Sequence, residues 1–285
     1  MNMAILRDAL CDACWDGLSL FPFLFFTYLL LEYLEQYSSR KSLNMVANSG
    51  NWGPFAGAFF GLLPQCGFAA AAANFYAAGI ISVGTLVAVF LATSDEMLPI
   101  LISNAMPIGS ILLIVVIKFF IGLFFGLICE ILFYKKNRKI DIVSLCKKEE
   151  CHCAGEGVLR PALYHAVKIT IFVCAVTLCL NILMAVFGDN FWKYSIFKNR
   201  IFSPVVGALF GLVPNCSASI ALSQMWVDGA ISFGCLISGL SSGAGVGLLV
   251  LFRVNENKKD NMKIVAITYV SAVIAGIVVE MFQLH

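Results

Sequence analysis

The sequence has few charged residues for its length. Asp, Glu, Lys and Arg make up 13% of the 285 residues, and 60% are hydrophobic, whereas soluble domains carry about 25% charged residues. Such a chain cannot cover a globule with polar side chains, so a soluble protein is excluded. Apolar stretches suited to crossing a bilayer, which takes about 20 residues, occur at Leu18–Leu31, Ile108–Phe133, Ile169–Phe187 and Val265–Phe282. The chain is predicted to be an all-α polytopic membrane protein.

Several motifs are also missing. No P-loop phosphate motif occurs, which excludes an ATP-driven pump acting alone but not one with a separate ATPase subunit. The first apolar run continues to Tyr33 with no small-residue cleavage site after it, so we expect it to be retained as the first span. We expect no enzymatic activity, no cofactor other than a metal ion carried as substrate, and no nucleic-acid partner. The expected partners are a small inorganic ion and the lipid bilayer, and a homo-oligomer is allowed.

The strongest pattern is an internal repeat with an offset of 150 residues. Residues 58–67 read AFFGLLPQCG, and residues 208–217 read ALFGLVPNCS. The same offset pairs Glu130 with Glu280 near the ends of the two copies. The predicted organisation is a first membrane repeat at 1–134, a Cys/His-containing loop at 135–160 and a second membrane repeat at 161–285.

Basic residues indicate how the repeats are oriented. Lys and Arg cluster in the loops 135–160 and 253–263, which we expect to be cytoplasmic, whereas the C-terminus after Glu280 has neither and is expected outside. Each half then crosses the membrane an odd number of times, so the repeats are predicted to have inverted topology. The loop 188–201 departs from this rule, since it is expected outside yet carries basic residues. We expect a multi-pass protein of the inner membrane.

Each repeat contains two apolar segments that are too short to cross a bilayer at 1.5 Å per residue. We predict that each pair forms a re-entrant hairpin of broken helices, followed by a third segment and a last span, which gives about ten membrane segments. The predicted half-helices are 54–64, 66–78, 204–214 and 216–228, and the third segments are 80–104 and 230–252.

The hairpin tips are Pro-amide-Cys sequences, with Pro64 and Pro214 as predicted hinges. Irregular backbone at membrane depth is buried in protein or lines a wet cavity, and inverted hairpins would bring both tips together near the midplane. The candidate substrate-binding residues near the tips are Gln65, Cys66, Asn74, Asn215, Cys216, Ser217, Ser219 and Gln224. The alternative is that these residues only pack helices and hydrogen-bond between them.

A second break is predicted within each third segment. The first repeat has Ser94, Asp95 and Glu96 there, in a run that is otherwise uncharged, whereas the second repeat has Gly243 and Gly245, which are predicted hinges. An ionisable residue inside a membrane is a functional candidate by default. We therefore add these three residues of the first repeat to the binding site, with Asp95 preferred. The alternative places the two carboxylates at the external mouth.

The side chains at the predicted site do not determine which ion it binds. Carboxylate, amide and hydroxyl oxygens suit Mn²⁺ or Mg²⁺, whereas thiolates suit softer metals and arsenic(III). The predicted metal ligands are Asp95, Glu96, Cys66 and Cys216. One hypothesis is export of a divalent cation, with carboxylates that exchange it for protons. A second is a metalloid or anion permease that uses the two tip cysteines. A third, from another class, is a membrane thiol–disulfide oxidoreductase that uses Cys11 and Cys14 with Cys66 or Cys216.

Three further features have weaker interpretations. The central loop carries Cys146, Cys151, His152 and Cys153, which either deliver a soft metal or are incidental, and whose spacing matches no closed zinc site. His165 is expected to cap or solvate a helix end. For Glu130 and Glu280 a role in gating or proton transfer is one option.

The tip motifs resemble a known family. The segments GLLPQCGFAAAAANFY, TSDEMLP and GLVPNCSASIALSQMW are similar to those of the ten-transmembrane heavy-metal exporter family. Members are often labelled manganese transporters, and the family is related to the organoarsenical permeases. The resemblance covers nearly the whole chain, including the central loop. It implies efflux of a metal or metalloid across a bacterial cytoplasmic membrane.

Overall fold

In a computed structural model of the chain, the described residues are 18–33 without 20, 23, 31 and 32, 52–133 without 64 and 94–96, 159–191, and 202–282. Side chains at 161, 180–191 and 217 lie outside that description. All regular secondary structure in the described part is helical, as expected from the composition. Residues 24–30 are helical and belong to the first apolar run.

The two repeats contain matching helices. The first repeat has α1 (Trp52–Gly61), α2 (Cys66–Ala77), α3 (Val83–Ala92), α4 (Met97–Ser103) and α5 (Ile108–Phe133). The second has α6 (Leu159–Phe191), α7 (Phe202–Gly211), α8 (Cys216–Val227), α9 (Phe233–Ser242), α10 (Val246–Val254) and α11 (Lys258–Met281). The predicted short half-helices are therefore confirmed within a few residues, as is the second break in the second repeat, whereas residues 94–96 of the first repeat lie outside the described part.

Five helical stretches in the described part are long and apolar enough to cross a membrane. They are Val83–Ser103, Ile108–Phe133, Ala162–Cys179, Phe233–Val254 and Lys258–Met281. Apolar side chains on α5, among them Leu112, Phe120 and Phe124, are mostly exposed, as a lipid-facing surface requires. These observations fit a multi-pass membrane protein, whereas the re-entrant course of the short helices remains a prediction.

The interrupted spans form the interior of the molecule. In Phe233–Val254, which consists of α9 and α10, 89% of the apolar window is buried, compared with 28% in the continuous span Ile108–Phe133. Helices α3 and α9 also contact each other. Residues 243–245 between α9 and α10 are buried, so the break of the second repeat lies in the protein core, where departures from regular helix are tolerated.

Short helices of each repeat pack against the other repeat. Helix α2 packs mainly against α10 of the second repeat rather than against α1, and α8 packs against α4 of the first repeat. Helix α3 likewise contacts α11, and α9 contacts α5. Each contact between repeats thus has a counterpart with the roles of the repeats reversed, which is the pattern that a two-fold relation between them produces.

Within each repeat, glycines allow close helix packing. A Cβ added at Gly84 in α3 would lie 2.5 Å from the carbonyl oxygen of Gly126 in α5. A Cβ added at Gly234 in α9 would lie 2.5 Å from the carbonyl oxygen of Gly276 in α11. Small residues at such crossings bring backbones together in membrane bundles. The two copies therefore preserve the same helix crossing.

Glu130 and Glu280 cap equivalent helices. The Glu130 carboxylate accepts a hydrogen bond from the hydroxyl of Ser82, the N-cap of α3. The Glu280 carboxylate accepts from the backbone N–H of Gly234 in the first turn of α9, at 3.0 Å. A carboxylate at a helix N-terminus is favoured by the exposed N–H groups and the helix dipole. The geometry therefore favours a structural role over gating.

Candidate functional site

The two hairpin tips have the same local geometry. In the first, the Gln65 N–H donates to the carbonyl of Leu63 at 2.7 Å. In the second, the Asn215 N–H donates to the carbonyl of Val213, also at 2.7 Å. Pro214 stands at the centre of the second turn, where it has no N–H to donate. Both tips thus turn sharply before α2 and α8 begin.

The tip side chains are mostly removed from solvent. Cys66 and Cys216 are buried, and Asn215 is 2% exposed. Gln65 is half-buried and is the N-cap of α2, yet its side chain makes no capping hydrogen bond. Because the first N–H groups of a helix lack partners within it, the start of α2 lacks the side-chain cap that an N-terminal polar residue often supplies.

Two other predicted ligands lie farther from the tips. Asn74 and Gln224 are equivalent by the repeat, and each stands eight residues beyond its tip cysteine, about 12 Å along the helix. The Asn74 Oδ1 accepts from the Tyr28 hydroxyl at 2.8 Å, and its Nδ2 donates to the carbonyl of Ala70 at 3.2 Å. Asn74 therefore joins the helix at residues 24–30 to α2.

Gln224 of the second repeat likewise forms a side-chain hydrogen bond outside its own helix, in this case to the first repeat. Its Oε1 accepts from the Asn104 side chain at 3.2 Å, and its Nε2 donates to Asp228 at 3.1 Å. Half-buried Ser219 uses its carbonyl to accept from the Ser223 hydroxyl at 2.8 Å. The Asn104 bond joins α8 to the residue after α4 of the first repeat, whereas the other two bonds lie within α8 and at its end. A direct role of these residues in binding an ion stays a prediction.

The break between α9 and α10 runs through two predicted hinges. Gly243 ends α9 with φ −76°, and Gly245 precedes α10 with φ 48° and ψ −134°. The second conformation has a positive φ that favours glycine. A Cβ at Gly243 would lie 3.3 Å from the carbonyl of Gly211, the last residue of α7. The second hairpin tip and the break of the same repeat are therefore adjacent.

The first repeat has the same adjacency. A Cβ added at Gly61, the end of α1, would lie 2.7 Å from the carbonyl of Val89 and 2.9 Å from the Cβ of Ala92. Ala92 is the last residue of α3, and Asp95 follows it in the sequence before α4 begins. Each tip thus lies next to the end of the helix that precedes its own break.

Helices α2 and α10 connect the tip of one repeat with the break of the other. Near their starts, a Cβ at Gly247 would lie 2.8 Å from the Cβ of Ala69. Near their ends, the Tyr76 hydroxyl donates to Asp260 at 2.6 Å, and the Asn255 side chain donates to the same carboxylate at 3.3 Å. The two helices therefore run parallel, and both begin at the level of the breaks.

Lys118 is a buried cation that our reading of the sequence missed. It lies near the middle of α5, is fully buried, and donates from Nζ to the carbonyl of Leu240 in α9 at 2.6 Å. The signal was available, because Lys118 is the one basic residue in the apolar run Ile108–Phe133 and ionisable residues inside spans are functional candidates.

His165 corrects another expectation. It is 2% exposed, and its ring stacks on Tyr28 at 5.3 Å, so the prediction that it caps or solvates a helix end was wrong. The physical reason is that α6 begins at Leu159, well before His165, and packs this part of the helix against the first span.

Several predicted residues lie outside the described part of the chain. They are Pro64, Ser94, Asp95, Glu96, the side chain of Ser217, the thiols Cys11 and Cys14, and the loop residues Cys146, Cys151, His152 and Cys153. Across the described ranges, no group of three or more His, Cys, Asp or Glu residues could hold a metal ion. The metal-ligand predictions therefore stay predictions.

The fold and the interrupted helices define a class, the multi-pass membrane proteins built from two repeats around a core of broken spans. Comparison with family models matches the chain twice, over residues 2–166 and 159–285, to the family described as "Putative, 10TM heavy-metal exporter". The chain belongs to this family, as the resemblance of its tip motifs implied. Comparisons with curated proteins and with solved structures found no match.

Proposed function

We propose that the protein is a secondary transporter that exports an Mn²⁺-like divalent cation across the cytoplasmic membrane in exchange for protons. One observation carries this proposal: two interrupted spans meet in the core, and Asp95 and Glu96 stand in the sequence at the break between α3 and α4. Secondary transporters with broken helices bind their ions at such breaks. The family's description as heavy-metal exporters supports a metal as the cargo.

The available ligand atoms favour a hard or borderline divalent cation. Carboxylates of Asp95 and Glu96, the amide oxygens of Gln65 and Asn215, and carbonyls freed at helix breaks are oxygen ligands of the kind that Mn²⁺ prefers. Carboxylates can hold either a metal ion or protons, so the same residues would couple the outward movement of metal to the inward movement of protons.

Transport by purified protein in liposomes tests the proposal. Fluxes of Mn²⁺, Zn²⁺, Cd²⁺ and arsenite would be measured with and without a pH gradient. We expect Asp95→Asn to abolish divalent-cation flux while the protein stays inserted and monodisperse. The matched control is Glu256→Gln, which makes the same change from carboxylate to amide at an exposed residue after α10 and should keep the flux. Unchanged cation flux in Asp95→Asn would refute the assignment.

A second candidate is a metalloid permease that binds its substrate through Cys66 and Cys216. Both thiols are buried, equivalent by the repeat, and placed at the starts of α2 and α8. Replacing both by Ser separates the two candidates. Cation transport should survive this change if oxygen atoms bind the cargo, whereas loss of arsenite flux together with intact protein would support the metalloid permease.

A further inference from the structure

The position of Lys118 needs a physical explanation. Its side chain is fully buried, and it lies ten residues after the start of α5, about 15 Å along the helix. That depth is near the middle of a hydrocarbon layer about 30 Å thick. A cation at the centre of a bilayer is costly, so a lysine there must gain from the groups around it.

Lys118 contacts the end of a broken helix in the other repeat. One acceptor of its ammonium, the carbonyl of Leu240, lies in the last turn of α9, three residues before Gly243. Carbonyls in the last turn of a helix lack intrahelical partners and carry the negative end of the helix dipole. In transporters with broken helices, such carbonyls bind the transported or coupling cation.

A second polar group stands in the same turn. Ser241 follows Leu240 and is fully buried, and its hydroxyl has no hydrogen-bond partner among the residues that the structure describes. A buried hydroxyl without a partner is uncommon and calls for an explanation. The neighbouring Ser242 hydroxyl, by contrast, donates to the carbonyl of Ala208 at 2.7 Å. Ser241 therefore offers an oxygen that a bound cation could use.

The equivalent place in the other repeat lacks these groups. The offset of 150 residues relates Lys118 to Thr268, Leu240 to Phe90 and Ser241 to Leu91. The Thr268 hydroxyl donates within its own helix to the carbonyl of Ile264 at 2.9 Å. Helix α3 ends without a lysine at its carbonyls in the described part, so a lysine is not needed simply to terminate this kind of helix.

We propose that the end of α9, with the Leu240 carbonyl and the Ser241 hydroxyl, is a cation-binding position, and that the ammonium of Lys118 occupies it when no cargo cation is bound. Cargo and ammonium exclude each other because both need the Leu240 carbonyl oxygen, to which the Lys118 ammonium donates. Lys118 is then a tethered substitute cation that lets the empty transporter change conformation. This inference rests on the proposed function, since it takes the cargo to be a divalent cation.

Removal of the Lys118 ammonium should affect Mn²⁺ binding, Mn²⁺ exchange and net Mn²⁺ flux differently. In Lys118→Met the cation position stays available to cargo, so equilibrium binding of Mn²⁺ to the purified full chain should be as tight as in the wild type or several-fold tighter. Exchange of internal for external Mn²⁺ in liposomes should continue, because both steps carry cargo. Net Mn²⁺ flux should fall at least about tenfold, because the empty protein lacks its substitute cation.

Two other variants make the experiment specific. Thr268→Val changes the equivalent buried residue and should leave binding, exchange and net flux as in the wild type. Adding Ser241→Ala to Lys118→Met should weaken Mn²⁺ binding several-fold, because it removes the hydroxyl ligand. If Lys118→Met does not yield monodisperse protein, Lys118→Gln makes the same test with a neutral polar side chain.

The outcomes distinguish this inference from the proposed function. Wild-type protein that transports none of Mn²⁺, Zn²⁺ and Cd²⁺ would overturn the proposed function. If the wild type transports a cation, the tethered-cation proposal is overturned by a Lys118→Met variant that behaves like the wild type. It is also overturned if that variant loses binding, exchange and net flux together.

Discussion

The two repeats share a scaffold but differ at their centres. Each has the glycine crossing at Gly84 or Gly234 and a carboxylate that caps the helix there. At the breaks, however, the first repeat has Asp95 where the second has Gly245. Where the first repeat has the fully buried Lys118, the equivalent position of the second repeat is Thr268. The shared glycines and carboxylates maintain the helices, whereas Asp95 and Lys118, which only the first repeat has, are the candidates for chemistry that the two copies do not share.

The largest expected effect concerns the shared glycine crossing. Gly84→Leu and Gly234→Leu should each lower the free energy of unfolding by about 3 kcal/mol or prevent folding, because the new Cβ meets backbone carbonyls at 2.5 Å. Thermal unfolding in detergent measures the effect. Gly109→Leu is the control, since a Cβ there meets nothing within 4 Å. A large effect in one repeat only would contradict the shared scaffold.

The next effect separates the two glycines of the break. Gly245→Ala should cost about 1–3 kcal/mol, because its positive φ is strained for a residue with a Cβ, whereas Gly243→Ala, at φ −76°, should cost less. Both can be compared by thermal unfolding. Equal losses would show that crowding against neighbouring helices, rather than backbone conformation, determines the cost.

The capping carboxylates should give smaller and matched effects. Glu130→Gln and Glu280→Gln should each reduce the free energy of unfolding by about 1 kcal/mol, because each weakens a hydrogen bond at a helix start. Metal flux per folded molecule should stay near that of the wild type. If either variant lost flux without losing stability, gating or proton transfer would replace the capping role.

The smallest effects concern Asn74 and Gln224. Tyr28→Phe removes the buried hydrogen bond to Asn74 and should cost about 1 kcal/mol. Asn104→Ala removes the exposed bond to Gln224 and should cost less than about 0.5 kcal/mol. Chemical unfolding in detergent resolves the difference. The reverse order would mean that burial of Asn74 is not what stabilises the helix at residues 24–30 against α2.

The sequence predicts the parts of the fold that local chemistry determines. The offset of 150 residues, together with Pro214 and the glycines of the second break, locates the short helices to within a few residues. The low content of charged residues predicts that the protein is embedded in a membrane. These signals are strong because proline, glycine and charge act on the helix that contains them.

Contacts between repeats are not local, and the sequence alone does not reveal them. The contact of Lys118 with Leu240, the burial of His165 against Tyr28, and the packing of α2 on α10 depend on which helix faces meet. Periodicity identifies an apolar face but not its neighbour. Lys118 could have been singled out as a candidate from its span, but its partner at the end of α9 could not.

Under the proposed function both hairpin tips face one shared ion path, and cation protection of the tip thiols tests this most directly. In the full chain with the other cysteines replaced by Ser, alkylation rates of Cys66 and Cys216 would be measured with and without Cd²⁺. The account predicts that Cd²⁺ slows alkylation of both thiols over the same concentration range. Protection of one thiol alone, or of neither while Cd²⁺ is being transported, would contradict it.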